Sequence, residues 1–353
     1  MRVDQSLIQK LAESFEVPFT DILLIALNVC GVNSDLPHQR IRFKFKPFSY
    51  HLPFYFGIPN NIAISPFRIV GDSLILDGEK MGDIFAAEDD TCDAVYLRKN
   101  NHELCFNSHS RSLCRGCKFC FGLQTPKDRE TIKAKSDVDL FFENLERRYG
   151  KDFFANLSEI ALVTGCFNSA DRLISHLRDI YECATRRRFD GEMYYLGTEI
   201  VTREQLAAVC HMRFRYTFAL ETLSRRTEIL RLSKANYSIG GIMKIMECAN
   251  ELGVITAYSY IVGLEKFCGL RKEFLAINQL LTGFPVFNIF QPHTTDAHFL
   301  RCKGADDITF YLEARRFFEE IIDNDSIVPR RWQNYRSLWY TTYKGKDLQD
   351  ETI

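Results

Sequence analysis

The sequence predicts an α/β protein: a partial (βα)6 barrel with parallel strands over residues 93–325, preceded by a small α+β domain over 1–92 and followed by an aromatic tail over 326–353. Three observations predict this. From about residue 93, short apolar runs alternate with longer stretches of helical period, the rhythm of a parallel sheet covered by helices. Before that point the chain carries short strand patterns punctuated by Pro and Gly. The later runs number about six, which suits a curved open sheet better than a closed eight-fold barrel.

The opening residues, MRVDQSLIQKLAESFEV, form an amphipathic helix pattern and not a charged-then-apolar secretion signal. The uncharged run from Ile22 to Cys30 is far too short to span a bilayer. In RIRFKFKPFSYHLPFYFGIP, the alternation of Ile41, Phe43 and Phe45 marks a half-buried strand, and FRIVGDSLILDG continues the strand-rich stretch. An acidic turn, AAEDDTCD, closes this part.

VYLRK and ELCFN follow, then a cysteine loop and a helix near 127–149. IALVTG leads into a helix to about 188, and MYYLGT into one starting at Thr202. FRYTFALE, ITAYSYIVG and VFNIFQ are each followed by helical sequence. Over 238–252, Ile239, Ile242, Ile245, Met246, Ala249 and Leu252 fall at helical spacing, and Gly253 supplies the stop. No longer repeat is visible beyond this rhythm. The tail, RRWQNYRSLWYTTYKG, either packs across one end of the sheet or covers the strand C-termini, where ligands bind in such sheets.

The chain has 353 residues, 46% apolar and 26% charged, with a formal net charge of -1. That balance gives no reason to expect a nucleic-acid or membrane partner and suits a cytoplasmic protein. No G-x-S-x-G elbow, phosphate-binding loop or dinucleotide fingerprint is present, which sets aside ordinary hydrolase and nucleotide-binding readings.

Of the 12 cysteines, nine are scattered through apolar segments, where a reduced cysteine acts as a small hydrophobe. The other three, Cys114, Cys117 and Cys120, stand at three-residue intervals in SRSLCRGCKFCFG, just after a predicted strand. Thiolates are soft ligands that select iron–sulfur clusters, zinc or copper(I). A structural zinc would want a fourth ligand, for which Cys105 or His109 is at hand, and would make the loop a zinc-stabilised binding module. A cubane cluster on three cysteines instead leaves one iron open to an outside ligand.

Cys117-Lys118-Phe119-Cys120 resembles the second half of the C-x-x-x-C-x-aromatic-C loop of the radical S-adenosylmethionine superfamily. Leu113 stands where that family has its first cysteine, so the third thiolate comes from Cys114 or, in its place, Cys105. Thr164-Gly165-Cys166-Phe167-Asn168 sits where the family grips the methionine amino group. Ala219-Leu220-Glu221-Thr222 resembles its Glu-Thr segment, and Tyr260 to Glu265 its apolar-Gly-x-Glu segment against adenine. Phe290-Gln291-Pro292-His293 ends the sixth strand. The arginine usual before the fifth-strand helix is replaced by Gly240 and Gly241, leaving Arg225, Arg226 or Arg231 to supply it.

The resemblance implies a [4Fe-4S] cluster on Cys114, Cys117 and Cys120, and S-adenosyl-L-methionine held by Phe119, Gly165, Cys166, Glu221, Arg226 and Val262. It implies reductive cleavage of that cofactor and hydrogen-atom abstraction from a small-molecule substrate, with a reductant such as flavodoxin or ferredoxin. A shortened loop that seats the cofactor differently would release a 3-amino-3-carboxypropyl group instead. Asn168, Glu199, Tyr260, Gln291 and His293 lie near strand ends as candidate substrate contacts. A second cysteine cluster and a cobalamin-type domain are not seen in the sequence.

Overall fold

The computed structural model describes residues 3–90, 96–98, 101–106, 116–120, 132, 134–163, 167, 169–292, 296–330 and 336–348. Two helices open it, α1 (Gln5–Phe15) and α2 (Phe19–Cys30). Asp4 caps α1 by accepting the Leu7 N–H at 2.8 Å. The apolar run read from sequence is α2, buried from Thr20 to Val29, so its hydrophobicity serves a core. Among the described residues no helix is long and apolar enough to cross a membrane.

Five antiparallel strands follow: β1 (Arg40–Pro47), β2 (Phe54–Pro59), β3 (Phe67–Val70), β4 (Ser73–Leu76) and β5 (Glu79–Asp89). They order as β2-β1-β5-β4-β3. Ile41, Phe43 and Phe45 are buried as the alternation predicts. Arg40 and Arg42, on the opposite face, are buried too, because both donate to Asp90: Arg40 Nε at 3.1 Å and Arg42 Nη2 at 2.9 Å. These two guanidiniums outweigh the desolvation that would raise the Asp90 carboxyl and hold it below its ordinary value.

The second sheet has seven strands. β6 (Tyr96–Arg98) and β7 (Glu103–Cys105) form an antiparallel pair, since the four residues between them are too few for a parallel crossover. From β7 onward every neighbour is parallel: α3 (Lys135–Tyr149), β8 (Glu159–Leu162), α4 (Ala170–Thr185), β9 (Glu192–Gly197), α5 (Arg203–Ala207) and β10 (Phe214–Glu221). Then come α6 (Arg226–Ile229), α7 (Leu232–Ala235), α8 (Ile239–Glu251), β11 (Ile255–Val262), α9 (Arg271–Asn278), β12 (Val286–Ile289) and α10 (Ile308–Ile321). The strand order β12-β11-β10-β9-β8-β7-β6 is an open half-barrel with six consecutive parallel strands. Polar caps start three of its helices: Ser169, Thr202 and Ser238 each accept a backbone N–H of the first turn, and Thr202 is the start read from sequence.

The two faces of this sheet differ. Tyr258, Tyr260 and Val262 of β11 join the main core beneath the helices, where Tyr260 meets Phe274, Phe287 and Phe318 edge to face. Ser259 and Ile261 therefore turn to the opposite, concave face. Cys105, Ala161 and Tyr194 from β7, β8 and β9 make a small separate cluster on that inner side.

The tail closes the outer edge. Arg336 accepts the Ile289 N–H at 2.8 Å through its carbonyl, extending the pairing beyond β12. Trp339 packs on Phe284 and Phe287 at 5.4 Å from each, and Tyr340 lies against Phe54 and Phe56. The short hairpin of β13 (Thr342–Tyr343) and β14 (Lys346–Asp347) ends it. In its described part the tail is thus a wedge between the first sheet, α10 and β12.

Candidate functional site

The parallel strands share one C-terminal rim, and β10 ends there in an unusual way. Its pairing with β11 slips between Phe218 and Glu221, and Glu221 sits at φ 65°, a left-handed conformation uncommon outside glycine. This turns the Glu221 carboxylate towards α7, where Lys234 Nζ lies 2.9 Å from Oε1. Both side chains are about nine-tenths buried, so each charge depends on the other. Lys234 Nζ also stands 6.0 Å from the centre of the Phe119 ring, a cation–π distance.

Phe119 belongs to the cysteine turn. Cys120 donates its N–H to the Cys117 carbonyl at 3.1 Å, and Lys118 donates to the Ile229 carbonyl at 2.9 Å. Gly116 has φ 103°, and a Cβ there would stand 2.9 Å from Arg231 Cβ, so glycine is required twice over. Cys117 is buried and Cys120 half-buried, within an apolar cluster that includes Ile229, Leu230, Ile261 and Phe290. The turn therefore rests on the segment after β10 and on the inner side of β11 and β12.

A second ion pair flanks it. Glu199, just past β9, accepts from Tyr195 Oη at 2.5 Å and from the Thr198 N–H at 2.9 Å. Arg231 Nη2 reaches its other oxygen at 3.3 Å, and the Arg231 backbone N–H donates to Cys117 Sγ at 3.4 Å. Arg226 braces the segment from below, donating to the carbonyls of Leu220, Thr222 and Lys234. Burial pushes its guanidinium below the ordinary value, with Glu221, Glu265 and Cys117 opposing. Glu265 fixes the start of the loop by accepting the N–H groups of Leu223 and Ser224 at 2.6 and 2.7 Å.

The structure thus brings together Cys117, Phe119, Cys120, Glu199, Glu221 and Arg226 from the residues singled out in sequence. Tyr260 and Val262 it places on the helix-facing side of β11, away from the cysteine turn. Gln291 is buried and points to β1 and α2, accepting from Arg40 Nη1 at 3.1 Å and donating to Asn28 Oδ1 at 2.8 Å. Cys105 lies on the inner side of β7 with Tyr194. Cys114, Gly165, Cys166, Asn168, His293 and His109 lie outside the described residues. Among those described, no three metal-ligating side chains converge. Sequence reasoning passed over Lys234 and missed how Arg231 acts; the signal was only a basic residue on a short helix.

The opposite mouth of the half-barrel holds a cavity of about 750 Å³, lined by Glu159, Glu192, Arg213, Arg215 and Arg330 among others. Glu103, Glu159 and Glu192 stand in register at the starts of β7, β8 and β9. Burial pushes the Glu159 carboxyl up to about 7, against the pull of Arg215 and Arg330 and with Glu192 adding repulsion. This mouth is at the wrong end of the strands for the cysteine turn and is distinct from the rim site.

Fold and rim together define an open parallel α/β half-barrel whose first parallel strand leads into a cysteine turn. No family model and no curated protein matches the chain. Among solved structures it is similar to the radical S-adenosylmethionine methyltransferase TsrM from Kitasatospora setae, determined with cobalamin and a [4Fe-4S] cluster bound, at 12% identity and a TM-score of 0.36 over 50% of this chain and 35% of that one. It is also similar to SuiB from Streptococcus suis, at 12% identity and a TM-score of 0.39 over 64% and 48%. The chain spans about a third and about half of their lengths.

Proposed function

We propose that this protein is a radical S-adenosylmethionine enzyme acting on a small molecule, with Cys117 and Cys120 as two of three ligands to a [4Fe-4S] cluster and Cys114 as the third. The observation that carries the reading is the Cys117–Cys120 turn, seated on the C-terminal rim after the first parallel strand and clamped to the segment that follows β10.

The donor set suits such a group. Two soft sulfurs, Cys117 buried and Cys120 half-buried, lie against an apolar cluster of Ile229, Leu230, Ile261 and Phe290, and such burial favours a low cluster potential. When bound, the reduced cluster supplies the electron that splits S-adenosylmethionine into methionine and a 5′-deoxyadenosyl radical, which takes a hydrogen atom from the substrate.

The protein's own residues bind, orient and exclude. The Arg231 N–H holds the Cys117 sulfur in one orientation, and Glu199 holds Arg231. Glu221, paired with Lys234 at 2.9 Å, presents a buried carboxylate at the rim for the cofactor's amino or ribose groups. Phe119 offers an aromatic face beside them. The apolar residues beneath the turn would exclude water from that side of a reactive intermediate. The electron would come from a small donor such as flavodoxin or ferredoxin.

The test is anaerobic reconstitution with iron and sulfide, followed by dithionite and S-adenosylmethionine. Wild type should be brown and release 5′-deoxyadenosine, and Cys117→Ala or Cys120→Ala should lose both colour and product. A colourless protein holding one zinc, or variants that keep the visible absorption, would overturn the reading. Methylthioadenosine in place of 5′-deoxyadenosine would mean release of the 3-amino-3-carboxypropyl group.

A further inference from the structure

Two polar side-chain oxygens on the inner side of the half-barrel, Ser259 Oγ and Asn288 Oδ1, are buried and have no hydrogen-bond partner among the described residues. Ser259 is 1% exposed as a residue, so water does not satisfy it from bulk. A buried hydroxyl or amide oxygen with nothing to bond is costly and uncommon in native proteins.

Strand phase sets where they point. Ser259 lies between Tyr258 and Tyr260, both packed beneath the helices, so its side chain takes the concave face. Asn288 lies between Phe287 and Ile289, which belong to the same helix-side core, so it takes the concave face too. The two strands are in parallel register, with Ile261 opposite Asn288 and Ser259 opposite Val286. Ile261 itself touches the cluster around Cys117. Asn288 is therefore level with the floor of the cysteine turn, and Ser259 is one inward position deeper, about 7 Å along the strand.

The surroundings of the pair are neutral. Ala219 on β10 is buried, is absent from the helix-side core and alternates with Phe218 and Leu220, which belong to it. At this level β11 and β12 present Ser259, Ile261, Val286 and Asn288, with no charge among them. The charged groups lie above and below: Glu221 paired with Lys234 at the rim, and Arg215 with Glu159 near the other mouth. An ion placed between Ser259 and Asn288 would lose its hydration without a counter-charge, whereas a hydroxyl or carboxamide would satisfy both oxygens.

We infer that Ser259 and Asn288 form the substrate's polar anchor, and that they select a neutral hydroxyl- or carboxamide-bearing group beneath the cysteine turn. This rests on the radical-enzyme reading above for the word substrate, but the binding site stands on the two orphaned oxygens. Ala219 and Ser259 are the small side chains of this layer. Ser259 and Asn288 touch substrate in this account and take no part in electron transfer.

The experiment uses the reconstituted full chain with S-adenosylmethionine, as wild type, Ser259→Ala and Asn288→Leu. Ligand-observed NMR is run with two matched pairs, nicotinamide against nicotinate and glucose against gluconate. At least one neutral member should show saturation transfer to wild type and its anionic partner none. Both variants should lose that signal by about fivefold or more, as expected for about 1 kcal/mol per hydrogen bond removed. S-Adenosylmethionine affinity should stay within about twofold, and the apo melting temperature should be unchanged or raised by about 1–3 °C, since the lost groups were unsatisfied. A lowered melting temperature would make the pair structural, and weakened cofactor binding would make it part of the cofactor site. Equal binding of neutral and anionic members, no binding of any probe, or full binding by the variants would each overturn the inference. Absence of 5′-deoxyadenosine from wild type would sink the enzymatic reading alone, because the NMR comparison does not depend on turnover.

Discussion

The backbone N–H of Arg231 donates to Sγ of Cys117 at 3.4 Å, while the same residue's guanidinium reaches Glu199 Oε1 at 3.3 Å. One residue thus links the end of β9, the segment after β10 and the cysteine turn. A sulfur held by a main-chain donor has a fixed direction. Holding the turn this way depends on close backbone approach, which makes Gly116 the most exposed point of the arrangement.

Gly116→Ala should empty the site with little loss of fold. An alanine there is strained at φ 103°, and its Cβ would press on Arg231 at 2.9 Å. The strain is on the order of 1–3 kcal/mol and is relieved most easily by lifting the turn off Arg231. Iron per chain and visible absorption after reconstitution should fall by more than half, while far-UV circular dichroism stays unchanged. Full iron loading in this variant would show that the Arg231 contact does not position Cys117.

The buried pair at the rim can be separated from its function by a mutant cycle. Lys234→Met leaves the Glu221 carboxylate buried and uncompensated, a loss of about 3–5 kcal/mol in urea denaturation. Glu221→Gln together with Lys234→Met should recover most of that, since both charges are gone. The double variant should nevertheless bind S-adenosylmethionine at least tenfold more weakly. If it binds as tightly as wild type, Glu221 is a structural acid and no part of the cofactor site.

The parallel α/β half-barrel and the cysteine spacing were legible because each rests on local pattern: runs of strand length between helical periods, and thiols three residues apart. Glu199 and Glu221 were legible as acids at strand ends. Their partners were not, because Arg231 and Lys234 reach them through the packing of α6 and α7, 32 and 13 residues further along the chain. The phase of β11 was hidden for a different reason. Seven of its eight residues are buried, so the strand has no polar alternation to mark its faces. Tyr260 and Val262 look like candidate contacts in sequence, and only the fold shows that Ser259 and Ile261 share the cysteine turn's side. Gln291 is similar, since its bonds to Arg40 and Asn28 join segments some 250 residues apart.

At the opposite mouth Glu159 should make stability depend on pH in the less common direction for an acid. Burial raises its folded value from 4.5 to about 7, so between those limits the folded state holds a proton that the unfolded state has released. Its contribution is full below about 4.5, declines as pH rises to about 7, and is gone above. The difference is on the order of 3 kcal/mol at most. Urea midpoints measured from pH 5 to pH 8 should fall for wild type relative to Glu159→Gln. Parallel curves would mean that Arg215 and Arg330 keep the carboxylate ionised throughout.

A buried carboxylate on α2 is one anchor of the tail. Asp21 on α2 accepts from Arg315 Nη1 at 2.5 Å, from the Thr341 N–H at 2.7 Å and from Thr341 Oγ1 at 2.6 Å, and it is wholly buried. Asp21→Asn keeps the shape but leaves the Arg315 guanidinium short of its main counter-charge, since Glu319 at 3.0 Å is its other carboxylate. The loss should be about 3 kcal/mol or more, because a buried charge deprived of its partner costs more than the pair contributes. The same residues seat Trp339 and Tyr340, and Tyr340 shares Asn28 with Gln291, which follows Phe290 beneath the cysteine turn. Loosening the tail should therefore reach the rim. Asp21→Asn should be cut faster by trypsin at Arg330, and its reconstituted cluster should bleach faster in air than that of wild type. Unchanged bleaching alongside faster cleavage would show that the wedge supports the fold without shielding the site.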